Sequence, residues 1–107
     1  MINKFIIKTL KPCGIPIYFV TRGENKKECI VFNVLETPGE FSDNREELTE
    51  YTILLNIYVK SNRYVEFVEN IKETMAAAGF IKKVVPTAQW NDELEMFNQP
   101  IEYVIKK

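Results

Sequence analysis

The sequence predicts an α+β domain in which one main helix packs on a largely antiparallel sheet. Three observations predict it. Tyr51, Ile53, Leu55, Ile57 and Val59 fall at every second position, so they share one face of a strand. Tyr64, Phe67, Val68, Ile71, Met75 and Ala78 recur at three- and four-residue spacing, which makes one apolar stripe on a helix. Further runs rich in β-branched and aromatic residues lie on both sides of this unit, separated by turn formers. The predicted order is helix, three strands, helix, two strands, in a single domain over residues 1–107.

Residues 2–10 form the first helix. Ile2, Phe5, Ile6 and Leu10 share a face, Lys4, Lys8 and Lys11 flank it, and Pro12 and Gly14 stop it. So short a helix needs tertiary packing, and covering one end of the sheet is the expected role; a basic docking helix is the alternative. Residues 15–20, IPIYFV, are a strand with Pro16 at its start or on an edge. The polar turn TRGENKK joins it to residues 28–35, ECIVFNVL, and the short connection predicts a hairpin. That second strand is apolar on both faces apart from Asn33. It reads as a central strand, or as one whose second face meets another subunit.

Residues 36–47, ETPGEFSDNREE, are an acidic loop rich in turn formers, with Phe41 in its middle. The strand 51–59 follows, its odd face on the core and its even face, with Thr52, Leu54, Asn56 and Tyr58, partly wet. Ser61 or Asn62 is placed to cap the main helix, predicted over 63–78. Gly79 and Phe80 are placed to end it in a Schellman motif, with Phe80 folding back toward Met75. Residues 81–88, IKKVVPTA, are a strand ending near Pro86, and 89–93, QWNDE, are a turn, with Trp90 folded onto the core or at an interface. Residues 94–107 are the last strand, where Pro100 predicts a bulge or an edge position without a ladder bond.

The composition excludes several classes of function. The chain has 14 basic and 15 acidic residues and a formal net charge of −1, which offers no basic face for nucleic acid. No apolar run is long enough to span a bilayer, and the start, MINKFIIKTLKPCG, has no secretory signal pattern, so a soluble intracellular protein is expected. There is no histidine, which excludes Ser–His–Asp and Cys–His catalysis and removes the commonest metal ligand. Cys13 and Cys29 form no CxxC pair and are expected as free thiols, with Cys29 buried. The acidic loop lacks the alternate oxygen ligands and distal Glu of a calcium site. No metal, no cofactor and no enzymatic activity are predicted. An enzyme using carboxylates alone, such as Glu40 with Asp43, would need separated pKa values in a shared pocket.

The stretch DNREELTEYTILLNIYVKSNRYVEFVENIKETMAAAGF resembles the core of the small tail-completion proteins of long-tailed bacteriophages and prophages, the tail terminators and tail-to-head joining proteins. The resemblance lies in Asp43 with Glu46 and Glu47, the strand Tyr51 to Val59, the turn Lys60 to Asn62, Ala78–Gly79–Phe80, and the late strand Met96 to Tyr103. The preceding IVFNVLETPGE is similar to the family's second strand and the loop after it. The last strand departs from the pattern, with Asn98–Gln99 where members often carry histidine.

The resemblance implies a structural virion protein. It would close into a ring, six-fold like the tube, cap the tail tube and join tail to head. The implied partners are further copies of the chain, the tail tube protein and the head–tail connector proteins. The implied location is the tail or neck of the virion, and the bacterial host cytoplasm during assembly. The expected contact surface sets Glu40, Phe41, Asp43 and Glu46 of the acidic loop against Arg22, Lys26 and Lys27 of the basic turn, with Phe41 as the apolar anchor. A small intracellular regulatory or ligand-binding α+β domain is the alternative; no Gly-rich phosphate loop supports it.

Overall fold

The middle strand of the sheet, β3 (Glu50–Val59), alternates as its sequence predicts: Ile53, Leu55, Ile57 and Val59 are fully buried, and Thr52, Leu54, Asn56 and Tyr58 are half-buried. The computed structural model describes residues 2–24, 26–37 and 49–107. The acidic-loop residues Glu40, Phe41, Asp43 and Glu46 lie outside them. The described residues form an α+β fold with two helices and a mostly antiparallel six-stranded sheet.

The chain opens with α1 (Ile2–Leu10), which buries Ile6 and Leu10, followed by a 3₁₀ turn at Lys11–Cys13. Next come β1 (Ile17–Phe19) and β2 (Cys29–Thr37), then β3, then a 3₁₀ turn at Ser61–Arg63 that leads into α2 (Tyr64–Ala77). Three strands follow: β4 (Ile81–Val84), β5 (Gln89–Asn91) and β6 (Met96–Lys106). The order across the sheet is β1-β2-β3-β6-β4, and β5 also pairs with β6. Both helices lie over one face of the sheet. Ile6 and Leu10 of α1 and Phe67, Val68, Ile71 and Met75 of α2 share one core cluster with the even residues of β2 and the odd residues of β3 and β6. Phe80 closes one end of the core, stacked on Phe5 with ring centroids 5.6 Å apart and edge-on to Tyr103 at 6.2 Å.

Four expectations are corrected. First, three strands rather than two follow the main helix. The segment expected as a turn contains β5, which pairs Gln89–Asn91 with Met96–Asn98 because Trp90 packs edge-on to Phe97 across the hairpin. The turn itself is the four residues after it, where Asn91 Oδ1 accepts the Leu94 N–H. Second, β1 and β2 are parallel and not a hairpin. With only three residues, β1 is roughly 10 Å long, so the connection 20–28 reaches back along it without a helix. Third, neither Ser61 nor Asn62 makes a side-chain cap. Fourth, of the two alternatives at Pro100 the bulge is not found, since Pro100 lies in regular register with Asn56 of β3 and the bulge falls in β4 between Lys82 and Val84, whereas the position without a ladder bond is. Residues 99–101 of β6 have no registered partner on the β4–β5 side, which accommodates a residue without an N–H.

The end of α2 follows its sequence. Gly79 has φ 98°, its N–H donates to Ala76 O at 3.0 Å, and the Phe80 N–H donates to Met75 O at 3.1 Å. These are the two bonds of a Schellman motif, and Phe80 and Met75 are buried together in the core. Gly79→Val is expected to destabilise the protein by roughly 1–2 kcal/mol or more, since a β-branched residue is disfavoured at positive φ. An unchanged denaturant midpoint would contradict this.

Tyr103 is almost fully buried, and its hydroxyl has no hydrogen-bond partner among the described residues. Burial, with the Glu69 carboxylate as the smaller cause, pushes its phenol up to about 12 from 10.0. The folded state therefore holds the phenol neutral where the unfolded chain would ionise it. Its share of stability is complete below pH 10 and is lost as pH rises from 10 toward 12. Tyr103→Phe is expected to hold or raise stability at neutral pH by up to about 1 kcal/mol, because an unpaired hydroxyl is removed and the ring is kept. It should also flatten the alkaline decline in melting temperature. A loss of several kcal/mol on this substitution would mean that the hydroxyl is paired.

Candidate functional site

The basic turn predicted from sequence folds back over the sheet. Val20, a β-branched residue with φ 76°, turns the chain out of β1 just after its N–H donates to Phe32 O at 2.9 Å. The loop then crosses the face opposite the helices, where the Arg22 guanidinium sits 3.9 Å from the centroid of the Tyr58 ring. Cys29, registered with Tyr58, is buried beneath it. Burial pushes the Cys29 thiol up, and the nearby Arg22 charge opposes this more weakly. Burial also pushes Cys13 up, against a weaker effect of its hydrogen bond with Thr74. Both cysteines are free and stay protonated at neutral pH, so neither is a thiolate nucleophile.

Lys26 and Lys27 are exposed and line an open groove of about 890 Å³ together with Glu28, Lys60, Trp90, Leu94 and Met96. Trp90 is 49% exposed, and its indole N–H donates to Asp92 Oδ1 at 2.8 Å. It is thus both packed on Phe97 and open to a partner. Of the predicted interface, Arg22, Lys26 and Lys27 are placed on one loop, with Arg22 on the sheet face and the two lysines at the groove.

Glu28 at the floor of this region has a role that the spacing of the sequence does not reveal. Its carboxylate accepts the Lys60 backbone N–H at 2.9 Å through Oε2 and pairs with Arg63 at 2.9 Å through Oε1. A carboxylate just before β2 therefore holds the 3₁₀ turn that leads into α2, where neither Ser61 nor Asn62 caps the helix. It satisfies an otherwise free donor at the positive end of the helical segment. Gln99 makes a second tie. It is buried, accepts the Tyr64 hydroxyl, and donates to Pro86 O and Pro100 O at 2.8 Å each. Together they tie the start of α2 to the approach to β2, to β6 and to the irregular segment that leaves β4.

The surface that sequence reasoning missed is apolar and lies at the two ends of the sheet. Leu35 on β2 is 57% exposed, and Ile81 and Val84 on β4 are 62% and 49% exposed. The helix-free face between them carries a small apolar cleft walled by Leu54, Val84, Pro86 and Pro100. The one available signal was the apolar character of both faces of β2, which had pointed to a second subunit.

Among the described residues no three His, Cys, Asp or Glu side chains gather as a metal site, and no helix is long and apolar enough to cross a membrane. No protein-family model matches the chain, and no curated protein matches it.

Removing the Glu28 carboxylate leaves the Lys60 N–H and the Arg63 guanidinium without their acceptor. Glu28→Ala is expected to cost about 1–2 kcal/mol. Arg63→Ala should cost less, because its guanidinium is half-exposed. Chemical denaturation of the two variants checks the ranking; equal losses would assign the effect to the ion pair and not to the bond with the Lys60 N–H.

Proposed function

We propose that this protein is a structural component of a long-tailed phage or prophage. It closes as a ring on the head-proximal end of the tail tube and offers a surface to the connector. The observation that carries the reading is the unit from β3 through Phe80. A long strand buried on its odd face, a short polar turn and a helix closed by Ala78–Gly79–Phe80 in a Schellman motif have the form that the tail-completion resemblance implies. The exposed apolar residues Leu35, Ile81 and Val84 support it, because surfaces of this kind are covered in an assembled subunit. The ring is six-fold to match the tube, and its other partners are the tube protein and the connector proteins. The loop carrying Glu40, Phe41, Asp43 and Glu46 contacts a neighbour, facing the basic turn with Lys26 and Lys27. The protein works in the tail or neck of the virion and is assembled in the host cytoplasm.

The test is deletion of the gene from the phage or prophage that encodes it, followed by electron microscopy of tails and an infectivity count. Tails of uncontrolled length, or tails detached from heads, are expected. Normal tails with full infectivity would end the proposal. A Phe41→Ala, Asp43→Lys variant tests the loop separately, and normal assembly in that variant would remove the loop from the mechanism while leaving the function standing.

A further inference from the structure

The two open edges of the sheet are built to fit each other. On the β1 side, β1 covers only Ile30–Phe32 of β2. The turn at Val20 then carries the chain away, so among the described residues no strand pairs with this side of β2 from Asn33 to Thr37. The Ile30 N–H and the Phe32 carbonyl point toward β1, so by the period of two Val34 and Glu36 direct their backbone groups to the same open side. At the far end of the sheet, β4 is the edge strand, and all of its residues are exposed.

The ladder puts these two edges at the same height. Leu35 is registered with Thr52, Thr52 with Val104, and Val104 with Ile81. Leu35 and Ile81 are therefore the two ends of one row on the helix-free face, and both are more than half exposed. Val34, Ile53, Tyr103 and Lys82 make the next row on the helix face. Glu36 is one step further along that face, diagonal to Lys82 once the edges meet. Three successive antiparallel pairings make β4 antiparallel to β2. A copy rotated about an axis along the strands would thus add its β4 to the open half of β2 in antiparallel pairing through Ile81 and Lys82, up to the bulge before Val84.

We propose that copies of this chain join head to tail by pairing β4 of one with residues 33–37 of β2 of the next. Leu35 packs on Ile81 and Val84, and Glu36 faces Lys82. The charges select this pairing over its rivals. Two β4 edges would bring Lys82 and Lys83 against the same lysines, and two β2 edges paired about Leu35 would leave Glu36 opposite Val34 with no opposite charge to meet. The surfaces differ, so the contact is heterologous and either closes into a ring or runs on as a filament. This deepens the ring reading above and rests on it only for closure.

The test uses the full chain in a Cys13→Ser background, leaving the buried Cys29 in place. Leu35→Cys and Ile81→Cys single variants are mixed at high protein concentration and treated with a short bis-maleimide. Cross-linked heterodimer in large excess over either homodimer is expected, and the double variant should give a ladder that ends in a closed species. Leu35→Lys in a wild-type background should weaken self-association about tenfold or more without lowering the melting temperature, since Leu35 is exposed. Equal amounts of homodimer, or no cross-link, overturn the edge pairing. A ring of defined mass that forms without the Leu35–Ile81 cross-link would leave the ring reading and remove this interface. A ladder without limit would keep the interface and remove the closed ring.

Discussion

The structure depends on the burial of one face of β3. Four of its side chains, Ile53, Leu55, Ile57 and Val59, have no solvent exposure, and both neighbouring strands are registered along almost their whole length on it. A slip of one residue in either ladder would send Ile30 and Phe32, or Ile101 and Tyr103, to the other face. Burial of aliphatic side chains therefore sets the register of the central three strands. The two helices are held because their apolar stripes cover that face and share its core cluster. Each fully buried aliphatic contributes on the order of 1.5–3 kcal/mol.

Polar groups fix what burial leaves loose. An amphipathic helix on an apolar face can slide or rotate at little cost, but the Glu28 carboxylate, which accepts the Lys60 N–H, and the Gln99 amide, which accepts the Tyr64 hydroxyl, tie the approach to α2 and its first residue to the sheet. At the other end Gly79 reverses the chain so that Phe80 returns to the core. Tyr103 is the exception: its ring fills the core beside Phe80 while its hydroxyl goes without a partner among the described residues. That arrangement favours the ring over the polar atom, and the raised phenol pKa follows from it.

The chemistry of the described residues is sparse, and the surface is not. Both thiols are held protonated, and the groove beside Lys26 and Lys27 joins cations to an exposed indole. Apolar side chains stand exposed at the two ends of the sheet. Helices cover one face only, and the loop after β1 covers just the part of the other face near Cys29 and Tyr58. Among the described residues, nothing covers the rest of that face between Leu35 and Ile81, and both of these side chains are exposed.

Local periodicity determined the elements whose environment is set within a few residues. The period-two run in β3, the stripe of α2, the short α1 and the Gly79–Phe80 ending were all legible, because side-chain direction and glycine's freedom at positive φ are properties of the local chain. The basic turn was legible too, as charge. Tertiary structure alone decided the rest. The parallel pairing of β1 depended on how far a nine-residue return can reach, β5 on a Trp90–Phe97 contact across a turn, and the anchoring of the turn before α2 on a carboxylate 32 residues before Lys60. The two apolar faces of β2 and the segment IKKVV marked strands, but not which face the helices would cover or which strands would stand at the edge. Those depend on strand order, which is set by the sum of distant contacts and leaves no period in the sequence.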